Sequence, residues 1–299
     1  MRILIFYRHF PVAMGRYIHW GLEQAGHKVV SVGPYSWGKI PWGEFSYPKK
    51  YWYPPYLEMF DLPEQPITNL FDLVEHNKLG KFDLLIQAAD NIFLTGQAPI
   101  PQILIGTDPH VIDYRPHLGN VDYYVSMQKY YSEPGDVWMP YGYDPKIHLY
   151  HPDTPVEYDV VFCGLQYEHR LNFLRSVADA GYRVYSGLGD IYEDYVNLYN
   201  QGIIAFNWSS KEDLPARFWE GLAMRRLVLT NRVPDLNELE FKEDEDYLAF
   251  STIEEAVDKV KIIMNKPHLL DKIAQNGYLK VRPHTYANHL KKMLKEVGL

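Results

Sequence analysis

The chain predicts an α/β protein in two halves, each built on a parallel sheet. Three observations carry this. A buried strand, a helix and a second strand follow one another at the N-terminus (Met1–Tyr7, Arg16–Gln24, His27–Val32), and such a start implies parallel pairing. The same order begins again at Tyr158–Phe162, with a turn at Gly164 and a helix through Arg170–Ala180. Between them Val137–Pro152 (VWMPYGYDPKIHLYHP) carries three prolines and no periodicity, which fits a connector between domains.

The 299 residues, 46% hydrophobic and 23% charged, suffice for two domains of ordinary size. Net charge is −8, and both halves carry more acidic than basic side chains. That balance argues against tight non-specific binding to DNA. A single cysteine, Cys163, excludes an internal disulfide framework and a multi-cysteine zinc site. No apolar run approaches the ~20 residues that span a bilayer, and the first strand begins without a signal peptide, so a cytoplasmic location is expected.

In the first half, Gly26 ends the opening helix where a left-handed cap is favoured. Gly15 lies between the first strand and that helix. Residues 35–60 then break the alternation. Tyr35, Trp37, Trp42, Tyr51, Trp52 and further aromatic residues alternate there with Pro, Gly and Lys49–Lys50. Such rings could stack on a sugar or a nucleobase, or simply cover a sheet edge. A helix near Asn69–Leu79 and strands at Asp83–Gln87, Gln102–Ile105 and Tyr123–Ser126 resume the pattern. The loop Gly106–His110 follows a strand's carboxyl end, where open α/β sheets bind ligands, so Asp108 and His110 are candidates. Asp-Pro is also a common turn pair.

In the second half, Gly187 and Gly189 follow the strand Tyr182–Ser186, and Ile203–Asn207 (IIAFN) is another strand. Glu212–Asn231 (EDLPARFWEGLAMRRLVLTN) comes next. Pro215 suits a first helical turn, so a helix should run from about Leu214 to Met224 or Arg225, with a buried strand at Leu227–Thr230. Glu220 is the anomaly, because a carboxylate in an apolar helix needs a partner. Arg217, one turn earlier, is near enough to be one. The acidic run Glu243–Asp246 reads as an exposed, solvated turn. Helices at Ile253–Met264, His268–Lys280 and Thr285–Lys295 complete the chain.

Glu212 and Glu220, with seven residues between them, together with Arg217 and Ala223, resemble the E-x7-E donor-binding motif of GT-B glycosyltransferases of the group-1 type. The branch related to spore-maturation glycosyltransferases is the most similar. Arg225 stands where that branch usually has Gly, and Trp219 interrupts its usual spacing. The resemblance extends along nearly the whole chain, the segment 137–152 being similar to the family's W-x-P-x-x-x-D-P crossover. It implies a GT-B fold: two Rossmann-like domains facing across a cleft, with boundaries at 1–145, 146–284 and 285–299, the last a helix returning to the first domain.

The resemblance also implies roles. Glu220 would hold the ribose of a nucleotide-sugar, a UDP-sugar being favoured, and Glu212 would lie by the sugar with His110 or Asp108. Arg170, Arg217, Gly164 and Gly187 would surround the diphosphate, with Leu165 standing where the wider family has a basic residue. Gly15, Trp42 and Trp52 would meet the acceptor. No catalytic metal and no other cofactor are expected, because cationic side chains and helix N-termini can stabilise the leaving diphosphate. Retention of anomeric configuration follows from the family alone. The acceptor stays open: a glycan is favoured, and a modified DNA base remains an option that flipped-base recognition by aromatic rings would allow. The rivals are a sugar-nucleotide epimerase or hydrolase and a non-catalytic binding protein.

Overall fold

The strand Arg2–Phe6 (β1) is apolar at successive positions because both faces of its sheet are covered. The computed structural model describes residues 1–34, 39–40, 43–44, 47–52, 59–61, 79–89, 92–94, 96 and 99–299. They form two compact units, Met1–Pro140 with Tyr286–Leu299, and Tyr141–Thr285.

In the first unit β1 is followed by α1 (Met14–Gln24), β2 (Lys28–Gly33), the short antiparallel pair β3 (Lys39–Ile40) and β4 (Gly43–Glu44), and a helical turn, α2 (Lys49–Trp52). Next come β5 (Met59–Asp61), β6 (Leu84–Ala89), β7 (Gln102–Gly106), β8 (Tyr123–Ser126) and β9 (Val137–Trp138). The sheet order is β5-β2-β1-β6-β7-β8-β9, every pair parallel. The helix expected near 69–79 falls outside the described residues except at its end. Gly15 is helical, and a Cβ there would lie 2.1 Å from the Tyr7 ring. Its glycine is explained by the close packing of α1 on Tyr7.

The second unit runs β10 (Tyr158–Cys163), α3 (Glu168–Asp179), β11 (Val184–Gly187), α4 (Tyr192–Asn200), β12 (Gly202–Asn207), α5 (Ala216–Ala223), β13 (Leu227–Asn231), β14 (Leu248–Phe250), α6 (Ile253–Met264) and α7 (Pro267–Val281). Its sheet, again parallel throughout, has the order β11-β10-β12-β13-β14. Alternate residues of the strands (Val160 and Phe162, Ile204 and Phe206, Leu227 and Leu229) build one core with Phe173, Val177, Val260 and Ile273 from the covering helices. Phe173 stacks on Phe206 at 4.1 Å. Burying each such side chain contributes about 1.5–3 kcal/mol. Thr252 caps α6 by accepting the Glu255 N–H, and Glu255 accepts the Ser251 N–H in return.

The last helix, α8 (Tyr286–Glu296), belongs to the first unit and packs on α1. Tyr286, Leu290, Met293 and Leu294 recur at helical spacing on its buried face. Gly21 of α1 admits this contact, since a Cβ there would sit 2.6 Å from Leu290. Among the described residues, no helix is long and apolar enough to cross a membrane.

Candidate functional site

The sheet order of the second unit reverses between β10 and β12, so their carboxyl ends flank a switch point where α/β sheets receive ligands. Arg217 bridges that point. It sits in the first turn of α5, and helical side chains lean toward the N-terminus of their helix. Its Nε donates to the Cys163 carbonyl at the end of β10 (3.0 Å) and its Nη1 to Asn207 Oδ1 at the end of β12 (2.8 Å). Asn207 is oriented by donating through Nδ2 to Thr230 Oγ1. The guanidinium also lies over the Phe162 ring, 4.9 Å from its centroid. Burial pulls its pKa down, but Tyr199, Tyr195, Cys163 and Glu220 around it push the balance upward, so the cation is kept.

Gly164 makes room for this arrangement. Its φ is +155°, and a Cβ would lie 2.3 Å from Arg217 Nη2. The Gly164 N–H donates to the Gly187 carbonyl, which joins the loops after β10 and β11.

Arg170 is committed in part to the backbone around it. It is buried on α3, with Nε and Nη2 donating to the Trp208 carbonyl and Nη1 to the Leu165 carbonyl. These bonds make it a strut between the loops after β10 and β12. Burial, then the nearby Arg217, lowers its pKa to about 10.

Glu220 lies one turn further along α5 with its side chain only 12% exposed. Arg217 acts on it only through longer-range electrostatics, and its near partners are two other side chains. The Tyr195 hydroxyl donates to Oε2 at 2.6 Å, and His148 Nε2 stands 3.3 Å from Oε1. His148 Nδ1 accepts the Asp144 N–H at 3.1 Å, so the ring proton belongs on Nε2, facing the carboxylate. Burial, followed by the Glu220 charge, pushes the Tyr195 hydroxyl well above its ordinary pKa, which keeps it a donor.

Glu212 is exposed in the loop before α5, with a left-handed φ of 59°. That loop is braced. Ser209 donates through Oγ to Asp213 Oδ1 and accepts the Asp213 N–H, and Asn231 Oδ1 accepts the Ser209 N–H. A non-glycine residue in this region costs on the order of 1–3 kcal/mol and tends to mark a functional loop. Beyond Gly187, Asp190 accepts from the Tyr185 hydroxyl (2.8 Å) and lies 3.7 Å from the Cys163 thiol. Burial pushes that thiol up to about 12, so Cys163 is held protonated.

The other candidates lie in the first unit. Asp108 and His110 occupy a turn directly after β7, in which the Asp108 carbonyl accepts from the N–H groups of Val111 and Ile112. Thr107 Oγ1 donates to the Asp108 carboxylate, and the Asp108 N–H donates to the Tyr114 hydroxyl. His110 lies 6.3 Å from the Tyr131 ring. Trp52 ends α2, where its carbonyl and that of Tyr51 accept from the buried Arg16. Trp42 lies outside the described residues. The acidic run 243–246 is not simply solvated. Glu243 and Asp244 pair with Lys259, Glu243 also with Arg232, and the buried Asp246 with Lys280. Among the described residues, no three His, Cys, Asp or Glu side chains are grouped to hold a metal ion.

Sequence reasoning missed His148, Tyr195 and Asn207. Only Asn207 carried a visible signal, as the polar end of the apolar strand IIAFN.

Two parallel α/β units and a closing helix that returns to the first define the fold of the GT-B glycosyltransferases. Residues 157–295 match the family model described as "Glycosyl transferase-like". No curated protein matches the chain. Among solved structures, sucrose-phosphate synthase from Thermosynechococcus elongatus is similar at 14% identity and a TM-score of 0.67, covering 99% of each chain. HepE of Anabaena, solved in complex with UDP-glucose, is similar at 10% identity and 0.69, also over 99% of each chain. A UDP-N-acetylglucosamine 2-epimerase described as putative, from Listeria monocytogenes, is similar at 11% identity and 0.58, over 99% of this chain and 96% of its own.

Proposed function

We propose that this protein is a glycosyltransferase that binds a nucleotide-sugar, a UDP-sugar by preference, in its second unit and passes the sugar to an acceptor hydroxyl. The observation that carries the reading is the pairing of Arg217, which spans the carboxyl ends of β10 and β12, with the nearly buried carboxylate of Glu220 one turn along α5. A nucleoside diphosphate presents two phosphates and a vicinal diol. The cation, with the N-termini of α3 and α5, whose first turns have no side-chain cap, suits the phosphates. The carboxylate suits the diol.

In this reading Arg217 stabilises the charge that builds on the departing diphosphate, and no metal is needed. Arg170 acts mainly by holding the Leu165 and Trp208 backbones in place, and Glu212 lies by the transferred sugar. His110 or Asp108 would approach the same sugar, and Trp52 would meet the acceptor. A glycan is the favoured acceptor and the outcome is retaining. The likeness to an epimerase supports a second reading in which the same donor is rearranged or hydrolysed.

One experiment separates the two. The protein is incubated with UDP-sugars, with and without a pool of oligosaccharide acceptors, and products are followed by NMR and mass spectrometry. Acceptor-dependent release of UDP with an extended oligosaccharide supports transfer. Conversion of the sugar without acceptor supports the second reading. No turnover of any nucleotide-sugar removes both.

A further inference from the structure

A carboxylate recognises a diol well only if it is held still, because its two oxygens must meet two hydroxyls at once. Glu220 is on a short helix of eight residues and could adopt several rotamers. Two side chains distant in sequence fix it. Tyr195 donates a hydrogen bond to Oε2, and His148 Nε2 stands 3.3 Å from Oε1. An ionised carboxylate offers about four acceptor sites, so each oxygen keeps at least one, and the residual exposure of the side chain gives a ligand access to them.

Both clamps are themselves held. The His148 proton is placed by the Asp144 N–H on its other nitrogen, and the ring is 2% exposed. Tyr195 packs at a tilt against Tyr199, one turn along α4, with ring centroids 4.5 Å apart. The Tyr199 hydroxyl accepts the Cys163 N–H at 3.4 Å. Cys163 also supplies the carbonyl that anchors Arg217, and it precedes Gly164. Tyrosine-bearing α4 therefore ties the position of Glu220 to the loop assigned to the diphosphate.

We infer that Tyr195 and His148 are positioning residues that hold Glu220 for recognition of the donor's ribose diol, and that they set the preference for a ribonucleotide. The inference rests on the ribose role of Glu220 proposed above.

The test compares dissociation constants for UDP and 2′,3′-dideoxy-UDP, measured by calorimetry on the intact protein. The ratio of the two is internal to each variant, so a partly unfolded sample lowers both affinities and leaves the ratio unmoved. A hydrogen bond to a charged group corresponds to roughly tenfold or more in affinity, so the wild type should prefer UDP by at least about tenfold. Glu220→Gln should collapse that ratio. Tyr195→Phe and His148→Leu should each cut it by about threefold or more, and His148→Gln, which restores an N–H donor, should recover it. If Glu220→Gln collapses the ratio while Tyr195→Phe and His148→Leu keep it, the clamp is packing and the inference is overturned. If the wild type does not prefer UDP, or Glu220→Gln keeps the preference, the ribose role fails and the inference falls with it.

Discussion

Replacing Gly164 by Ala probes the switch point at its tightest contact. The new Cβ would lie 2.3 Å from Arg217 Nη2 and 3.4 Å from the Phe162 ring, on a backbone with φ of +155°. The guanidinium is the far end of a flexible side chain, but its bonds to Cys163 and Asn207 and its place over Phe162 resist displacement. Backbone strain costs about 1–3 kcal/mol and loss of one charge-assisted bond about 1.5–3 kcal/mol, so destabilisation should be about 3–5 kcal/mol. For a protein of this size that lowers Tm on the order of 10 °C. Affinity for UDP should also fall further than affinity for uridine, because the displaced group is the one proposed to face the phosphates. A double-mutant cycle with Arg217→Ala gives the sharpest reading, since removing the guanidinium relieves the clash. An equal cost of Gly164→Ala in both backgrounds would show that Arg217 is not what demands glycine there.

Three further outcomes follow from the same structure. Arg225 holds φ of 54° just past α5, in a cap where the Arg226 N–H bonds to the Gly221 carbonyl. In chemical denaturation Arg225→Gly should therefore be more stable than Arg225→Ala by about 1 kcal/mol, and equal stabilities would contradict the strain argument. Hydrogen bonding from Arg232 lowers the Glu255 pKa to about 2, below the ordinary carboxylate value of 4.5. The pairing then stabilises the protein above about pH 4.5 and is lost as pH falls through about 2. The Tm gap between wild type and Glu255→Gln should accordingly shrink below pH 4.5, and a gap independent of pH refutes it. Finally, transfer activity should survive excess chelator, and complete loss restored by magnesium would overturn the cationic mechanism.

The alternation of the two sheets was legible because parallel strands covered on both faces are written as local apolar runs, as in MRILIF and VVFC. Glu220 was legible as an anomaly for the same reason, being a charge inside an apolar helix. Its partners were not. Proximity along the helix pointed to Arg217, but a side chain in a first turn leans back past the helix start, which carries Arg217 to Cys163 and Asn207 instead. Tyr195 and His148 reach Glu220 only through the tertiary fold, which no periodicity encodes. Arg170 illustrates the same limit. Its position after Gly164 suggests a phosphate ligand, and nothing local shows that three of its five N–H donors go to two carbonyls that folding brings beside it. At Gly15 the sequence suggested a loop open to ligand, and the cause is the closeness of the Tyr7 ring.

The central claim is that a nucleoside diphosphate binds at the carboxyl ends of β10 and β12. A crystal structure of the protein with UDP tests it most directly. The diphosphate should lie beside Arg217 and the Gly164 loop, with the ribose hydroxyls within hydrogen-bonding distance of Glu220. UDP seated elsewhere on the chain, or its ribose turned away from Glu220, would contradict it.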